Sequence, residues 1–152
     1  MNLDKLLREN IRKFQPYSSA RDEYSGKEGV FLDANENAFG SVSRIKSNRY
    51  PDPYQSDLKK KISELKRVPK KQIFLGNGSD EAIDLLFRIF CEPGKDNVIT
   101  VDPTYGMYRV CADINDISCK SVLLNADFSL DASRVLEAVD EHTRLIFLCS
   151  PN

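Results

Sequence analysis

From Gln72 to Cys149, short apolar runs alternate with stretches of helical period, and few architectures accept that order. "QIFLG" reads as a strand, "SDEAIDLLFRIF" as a helix with Ser79 as N-cap, and "EPGKDN" as a turn. "VITV" is then a strand, "TYGMYRVCADI" a helix, "KSVLLN" a strand, "DASRVLEAVD" a helix and "RLIFLC" a strand. Strands separated by single helices pair in parallel through right-handed crossovers, so helices cover both faces of the sheet. The expected class is α/β, three layers around a mostly parallel sheet, preceded by an N-terminal arm.

The first 70 residues are less regular. Leu3, Leu6, Leu7 and Ile11 recur at helical spacing, giving an amphipathic arm that Pro16 should stop. "VFLDANENAFG" reads as a short strand running into a polar loop, and the two prolines of "RYPDPYQ" exclude regular structure there. Leu58, Ile62 and Leu65 mark one face of a lysine-rich helix ending near Pro69. The expected division is 1–70, arm and part of a small domain, and 71–152, the first part of a large domain.

Several function classes drop out on charge and composition. Lysine plus arginine number 22 against 23 aspartate plus glutamate, so no global field favours nucleic acid or an anionic membrane. The run "LKKKISELKR" lacks interleaved aromatic rings and reads as a solvated helix face. Asp84 and Arg88 interrupt the most apolar helix, which argues against a membrane span. The four cysteines form no C-x-x-C pair and no secretory leader precedes them, so free thiols in a reducing cytoplasm are expected, with no metal site. The single histidine, His142, falls in a polar loop where no catalytic triad can be built.

In parallel α/β sheets ligands bind outside the carboxyl ends of the strands. That rule singles out "GNGSDE", "DPTYG" and "SPN". Two glycines before a helix allow close backbone approach, and the helix start offers unpaired N–H groups to an anion such as phosphate. Ser79, Asp80 and Glu81 are equally ordinary residues for capping a helix, and their carboxylates oppose an anion. Tyr105 and Tyr108 lie just past a strand, where a ring can cover a planar ligand or pack under the next helix.

Taken in order, "QPYSSAR", "LDANEN", "RYPDPYQSDLKKKISE", "LGNGSDEAIDLLFRIFCEPGKD", "VDPTYGMYRVCA" and "FLCSPN" resemble the N-terminal part of the histidinol-phosphate aminotransferases, fold-type I enzymes that use pyridoxal 5'-phosphate. The resemblance implies that Gly78, Ser79 and Asp80 bind the cofactor phosphate and that Tyr105 stacks on its ring. It implies that Tyr50 reaches the phosphate in a partner subunit, hence a homodimer, and that Tyr17 and Asn35 line the substrate pocket. The implied reaction moves an amino group between L-histidinol phosphate and 2-oxoglutarate in cytoplasmic histidine biosynthesis.

In the family "SPN" continues into Asn-Pro-Thr-Gly, and the aspartate facing the ring nitrogen, the cofactor lysine and the phosphate-binding arginines come later still. The chain is therefore expected to be a fragment or truncated copy without turnover of its own. Other readings are a threonine-phosphate decarboxylase-like enzyme, a non-catalytic phosphate-binding module, and a subunit completed by a separate C-terminal chain.

Overall fold

The computed structural model describes residues 3–18 and 29–152 of the 152-residue chain. Contacts divide it into two units, residues 1–14 with 76–152, and residues 15–75.

The first unit is built on a sheet of three parallel strands, β1 (Asn97–Asp102), β2 (Ser118–Leu123) and β3 (Thr143–Phe147), in the order β2-β1-β3. Central β1 pairs with β2 from Asn97↔Ser118 to Asp102↔Leu123, and with β3 as far as Thr100↔Phe147. Being paired on both edges and covered on both faces, β1 is apolar from Val98 to Val101 except for Thr100, as buried parallel strands are.

Alternation along β1 supplies two cores. Val98 joins Ile83 and Phe87 of α3 (Gly78–Phe90) and Cys111 and Ala112 of α4 (Met107–Ile114) on one face. Ile99 and Val101 join Val122 and Val135 of α5 (Ala132–Glu137) on the other. This is the expected three-layer α/β arrangement. Asp131 caps α5, its Oδ1 accepting the N–H groups of Ser133 at 3.0 Å and Arg134 at 3.3 Å.

The amino ends of the strands are held by polar side chains. A register shift between Asn97 and Val98 interrupts the ladder there. Asn97 Nδ2 donates to Asp140 at 2.9 Å, Thr143 Oγ1 donates to Asn97 Oδ1 at 2.7 Å, and Lys120 closes on Asp140 at 2.6 Å. His142 lies in the loop before β3, as expected, half-exposed.

The N-terminal arm is not one amphipathic helix. A single 3-10 turn at Leu3–Lys5 is followed by a short α1 (Glu9–Arg12), and Arg8 between them is extended. Arg8 has other partners: its N–H donates to Ile89 O, its guanidinium to Arg88 O at 3.0 Å and, as a fork, to both oxygens of Glu92. The last carbonyls of α3 have no partner within the helix, and Arg8 satisfies two of them, Arg88 O and Ile89 O, from an extended backbone.

In the second unit α2 (Ser56–Lys66) is the lysine-rich helix. The expected strands at "VFLD" and "QIFLG" are absent among the described residues. Residues 30–32 join no ladder, and Lys70–Gln72 forms a 3-10 turn leading into extended Ile73. Apolar, β-branched composition favours extension, but an extended segment becomes a strand only where a neighbouring backbone pairs with it.

Candidate functional site

Three loops meet at the carboxyl edge of the sheet. The first leads into α3. Its N-cap is Asn77, two residues before the expected Ser79, and Gly78, in a left-handed conformation (φ 79°), opens the helix. Glu81 bends back so that its carboxylate accepts the Asn77 N–H, and Asn77 makes no side-chain cap. The N–H groups of the first turn have no carbonyl four residues before them inside the helix and point out of its end. A Cβ built on Gly78 would meet nothing within 4 Å, so the space over this turn is open.

The second loop follows β1 and carries Tyr105. Its hydroxyl donates to Asp80 Oδ1 at 2.9 Å, tying the two loops together. The phenol is held above its usual range, first by that hydrogen bond, then by burial and by the Asp80 charge. Tyr105 and Tyr108 do different work. Tyr108 stacks on Phe147 (4.7 Å between ring centres), which stacks on core Phe87 (5.3 Å). Tyr105 meets Tyr108 edge-on at 5.8 Å and stays 43% exposed. The tyrosine that packs against the core is Tyr108, and the ring left open to a ligand is Tyr105. Beside it a hollow of about 400 Å³ is lined by Thr104, Tyr108, Arg109 and Asp113. Thr104 Oγ1 is buried there without a hydrogen-bond partner, and such a hydroxyl costs about 1–3 kcal/mol until something bonds to it.

The third loop follows β3, where Asn152 Nδ2 donates to Pro103 O at 2.5 Å. Gly78, Ser79, Asp80, Tyr105 and the "SPN" segment are thus grouped on one edge.

Tyr17, Asn35 and Tyr50 belong to the other unit. Asn35 and Tyr50 line a hollow of about 370 Å³ organised by Glu36, a residue that motif reading passed over. The Glu36 side chain is 3% exposed; it pairs with Arg49 at 2.6 Å and accepts the Tyr50 N–H at 2.8 Å. Glu36 belongs to "LDANEN" and its partners to "RYPD", so in sequence it is visible only as an acid, because Arg49 lies thirteen residues away. Tyr50 and Tyr17 are exposed. Of "QPYSSAR", Ser19 to Arg21 lie outside the described residues.

The donor set fits a phosphorylated aromatic ring: open N–H groups at a helix start, a glycine beneath free space, a tyrosine ring with an exposed face, and an orphaned hydroxyl in the hollow beside that ring. Residues 26–152 match the pattern of the aminotransferases of class I and II, and the chain belongs to that family, whose members use pyridoxal phosphate.

Within it the relatives are specific. The chain is 60% identical over 151 residues to the histidinol-phosphate aminotransferase of Bacteroides fragilis and 57% identical to that of Cytophaga hutchinsonii, covering 99% of itself and 43% of each relative. It therefore spans less than half the length of these proteins. Its fold is similar to N-succinyldiaminopimelate aminotransferase from Mycobacterium tuberculosis, with a TM-score of 0.62 and 27% identity over 69% of this chain and 30% of that one. Among the described residues no helix is long and apolar enough to cross a membrane, and no group of acidic, histidine or cysteine side chains is placed to hold a metal.

Proposed function

We propose that these residues form the N-terminal part of a transaminase that moves an amino group between L-histidinol phosphate and 2-oxoglutarate in histidine biosynthesis. The observation that carries the reading is the 2.9 Å bond that joins Tyr105 to the start of α3, since it puts a ring platform and an anion-binding helix end at one place. The identity to named histidinol-phosphate aminotransferases supports the substrate.

In this reading the N–H groups of Gly78, Ser79 and Asp80 hold the cofactor phosphate, and the open face of Tyr105 covers the ring and excludes water from it. Pyridoxal phosphate supplies an electron-withdrawing ring and an aldehyde to carry the amino group. Tyr17 and Asn35 offer hydroxyl and amide groups to an imidazole and a phosphate. Tyr50 reaches the site of a second copy, so the assembly is a homodimer in the cytoplasm. Residues 1–70 are the arm and part of the small domain, and residues 71–152 begin the large domain.

The grouped loops, 76–80, 102–106 and 148–152, contain no lysine. Transamination needs an amine to bind the aldehyde and shuttle the proton. We therefore expect the 152 residues alone to show no turnover and to retain no covalently bound cofactor after borohydride reduction.

The test pairs this chain with the residues of the Bacteroides fragilis relative that lie beyond its match, and supplies L-histidinol phosphate and 2-oxoglutarate. Glutamate formation supports the reading. Carbon dioxide release from threonine phosphate instead would establish the decarboxylase alternative. Phosphate binding without any turnover would favour a non-catalytic module.

A further inference from the structure

We propose that Asp80 is a positioning residue: its carboxylate holds the Tyr105 hydroxyl so that the ring stands fixed beside the start of α3, while the ligand's anion is left to backbone N–H groups. The proposal rests on the cofactor site argued above and reassigns the side chain of one of its residues.

A carboxylate in the first turn of a helix interacts well with the helix dipole and badly with a bound phosphate. Both acids of this turn are already engaged. Glu81 accepts the Asn77 N–H and Asp80 accepts the Tyr105 O–H at 2.9 Å. A bond from a neutral phenol to a charged acceptor is stronger than one between neutral groups, and it draws the negative charge toward Tyr105.

The ring needs such a tether. It is 43% exposed, and the aromatic ring it packs against is Tyr108, which it meets edge-on. Tyr108 is itself fixed by Phe147 and Phe87, so the row of rings defines where Tyr105 meets the core, and Asp80 defines where its far end points. Two fixed ends orient an aromatic plane. A stacking platform that turns freely would lose entropy on each binding event.

The experiment uses the chain as it stands, with Asp80→Asn, Tyr105→Phe and the double variant, all checked for an unchanged urea midpoint. Carbon-13 NMR of labelled tyrosine follows the phenol titration. Tyr105 is expected to titrate above the ordinary value of about 10 and to fall back toward it in Asp80→Asn. Binding is then measured for pyridoxal 5'-phosphate and for inorganic phosphate.

Asp80→Asn and Tyr105→Phe should each weaken pyridoxal phosphate about tenfold, as loss of a bond to a charged group does. They should change inorganic phosphate less than about twofold, and the double variant should be no worse than either single one. An equal loss for both ligands in Asp80→Asn, or additive losses, would overturn the proposal. Unperturbed Tyr105 titration would overturn it as well. If the wild-type chain binds neither ligand, the anion site at the start of α3 does not form in these residues alone, and the titration still decides whether Asp80 holds the ring.

Discussion

Alanine at Gly78 tests the reasoning about the start of α3 most sharply, because a neighbouring glycine supplies an internal control. Gly78 has φ 79°, in the left-handed region, and a Cβ there would touch nothing within 4 Å. Gly106, the N-cap of α4, has φ −61° and equally open space around its added Cβ. Steric contact therefore contributes nothing at either site, and only backbone conformation separates them. A side chain in the left-handed region costs about 1–2 kcal/mol. Replacing glycine also removes unfolded-state freedom, which favours the folded form by about 0.4–1 kcal/mol. The net expectation is a loss of up to about 1.6 kcal/mol for Gly78→Ala and a gain of about 0.4–1 kcal/mol for Gly106→Ala. For a chain of this size 1 kcal/mol moves the thermal midpoint by about 2–4 °C. Urea unfolding followed by circular dichroism reads both changes through the midpoint, with the slope held constant. Equal effects in the two variants would refute the argument, since they would mean that Gly78 is not held left-handed. A large loss in Gly106→Ala would refute the claim that its surroundings are open.

Other perturbations separate the remaining forces. Asp96, 3% exposed, is pushed up by burial, but hydrogen bonds from Arg144 (3.0 Å) and the Glu92 N–H outweigh that and hold its carboxyl below the usual range. Arg144→Ala should cost about 2–4 kcal/mol in urea unfolding, less than a fully buried pair because the arginine is partly exposed, and the loss should shrink in the double variant with Asp96→Asn. Asp52 accepts the N–H groups of Ser56 and Tyr54, both at 2.8 Å, and these bonds, Ser56 first, lower its pKa. Its support for the start of α2 is thus present above the ordinary aspartate value of about 3.9 and is lost as the pH falls through the lower folded value, so Asp52→Asn should reduce helicity at neutral pH and make little difference in strong acid. Burial, and then the Asp96 charge, push the Cys91 thiol up to about 11. A thiol reagent at neutral pH should therefore modify the partly exposed Cys119 and Cys149 in the folded chain and reach buried Cys91 and Cys111 only after unfolding.

The parallel three-layer core was legible because its signal is local. Each of β1, β2 and β3 is a short run bounded by turn residues, with one helix before the next strand, and no other common topology accepts that order. The two missing strands and the broken arm share the opposite cause. "VFLD" and "QIFLG" have strand composition, but pairing depends on a backbone elsewhere in the chain, which composition does not encode. The arm has helical spacing throughout, yet Arg8 leaves the helix to bond Ile89, Arg88 and Glu92, residues about eighty positions away.

The site divides along the same line. That "DPTYG" and "SPN" gather at one edge follows from parallel topology, since β1 and β3 point the same way, whereas "GNGSDE" follows no strand and is tied to that edge by the Tyr105–Asp80 bond. How their side chains divide the work does not follow from it. Sequence left Asp80 and Glu81 as an objection to an anion, because two acids in a first turn look like charge beside charge. The fold answers the objection by giving each acid a donor: Tyr105 for Asp80, twenty-five residues on, and the Asn77 N–H for Glu81. It also chooses between the tyrosines, since stacking on Phe147 occupies Tyr108 and leaves the outer face of Tyr105 free. An acid at a helix start thus argues against a phosphate site only while its charge has no other partner. Here a nearby phenol is that partner, and the same bond orients the ring that would cover the ligand.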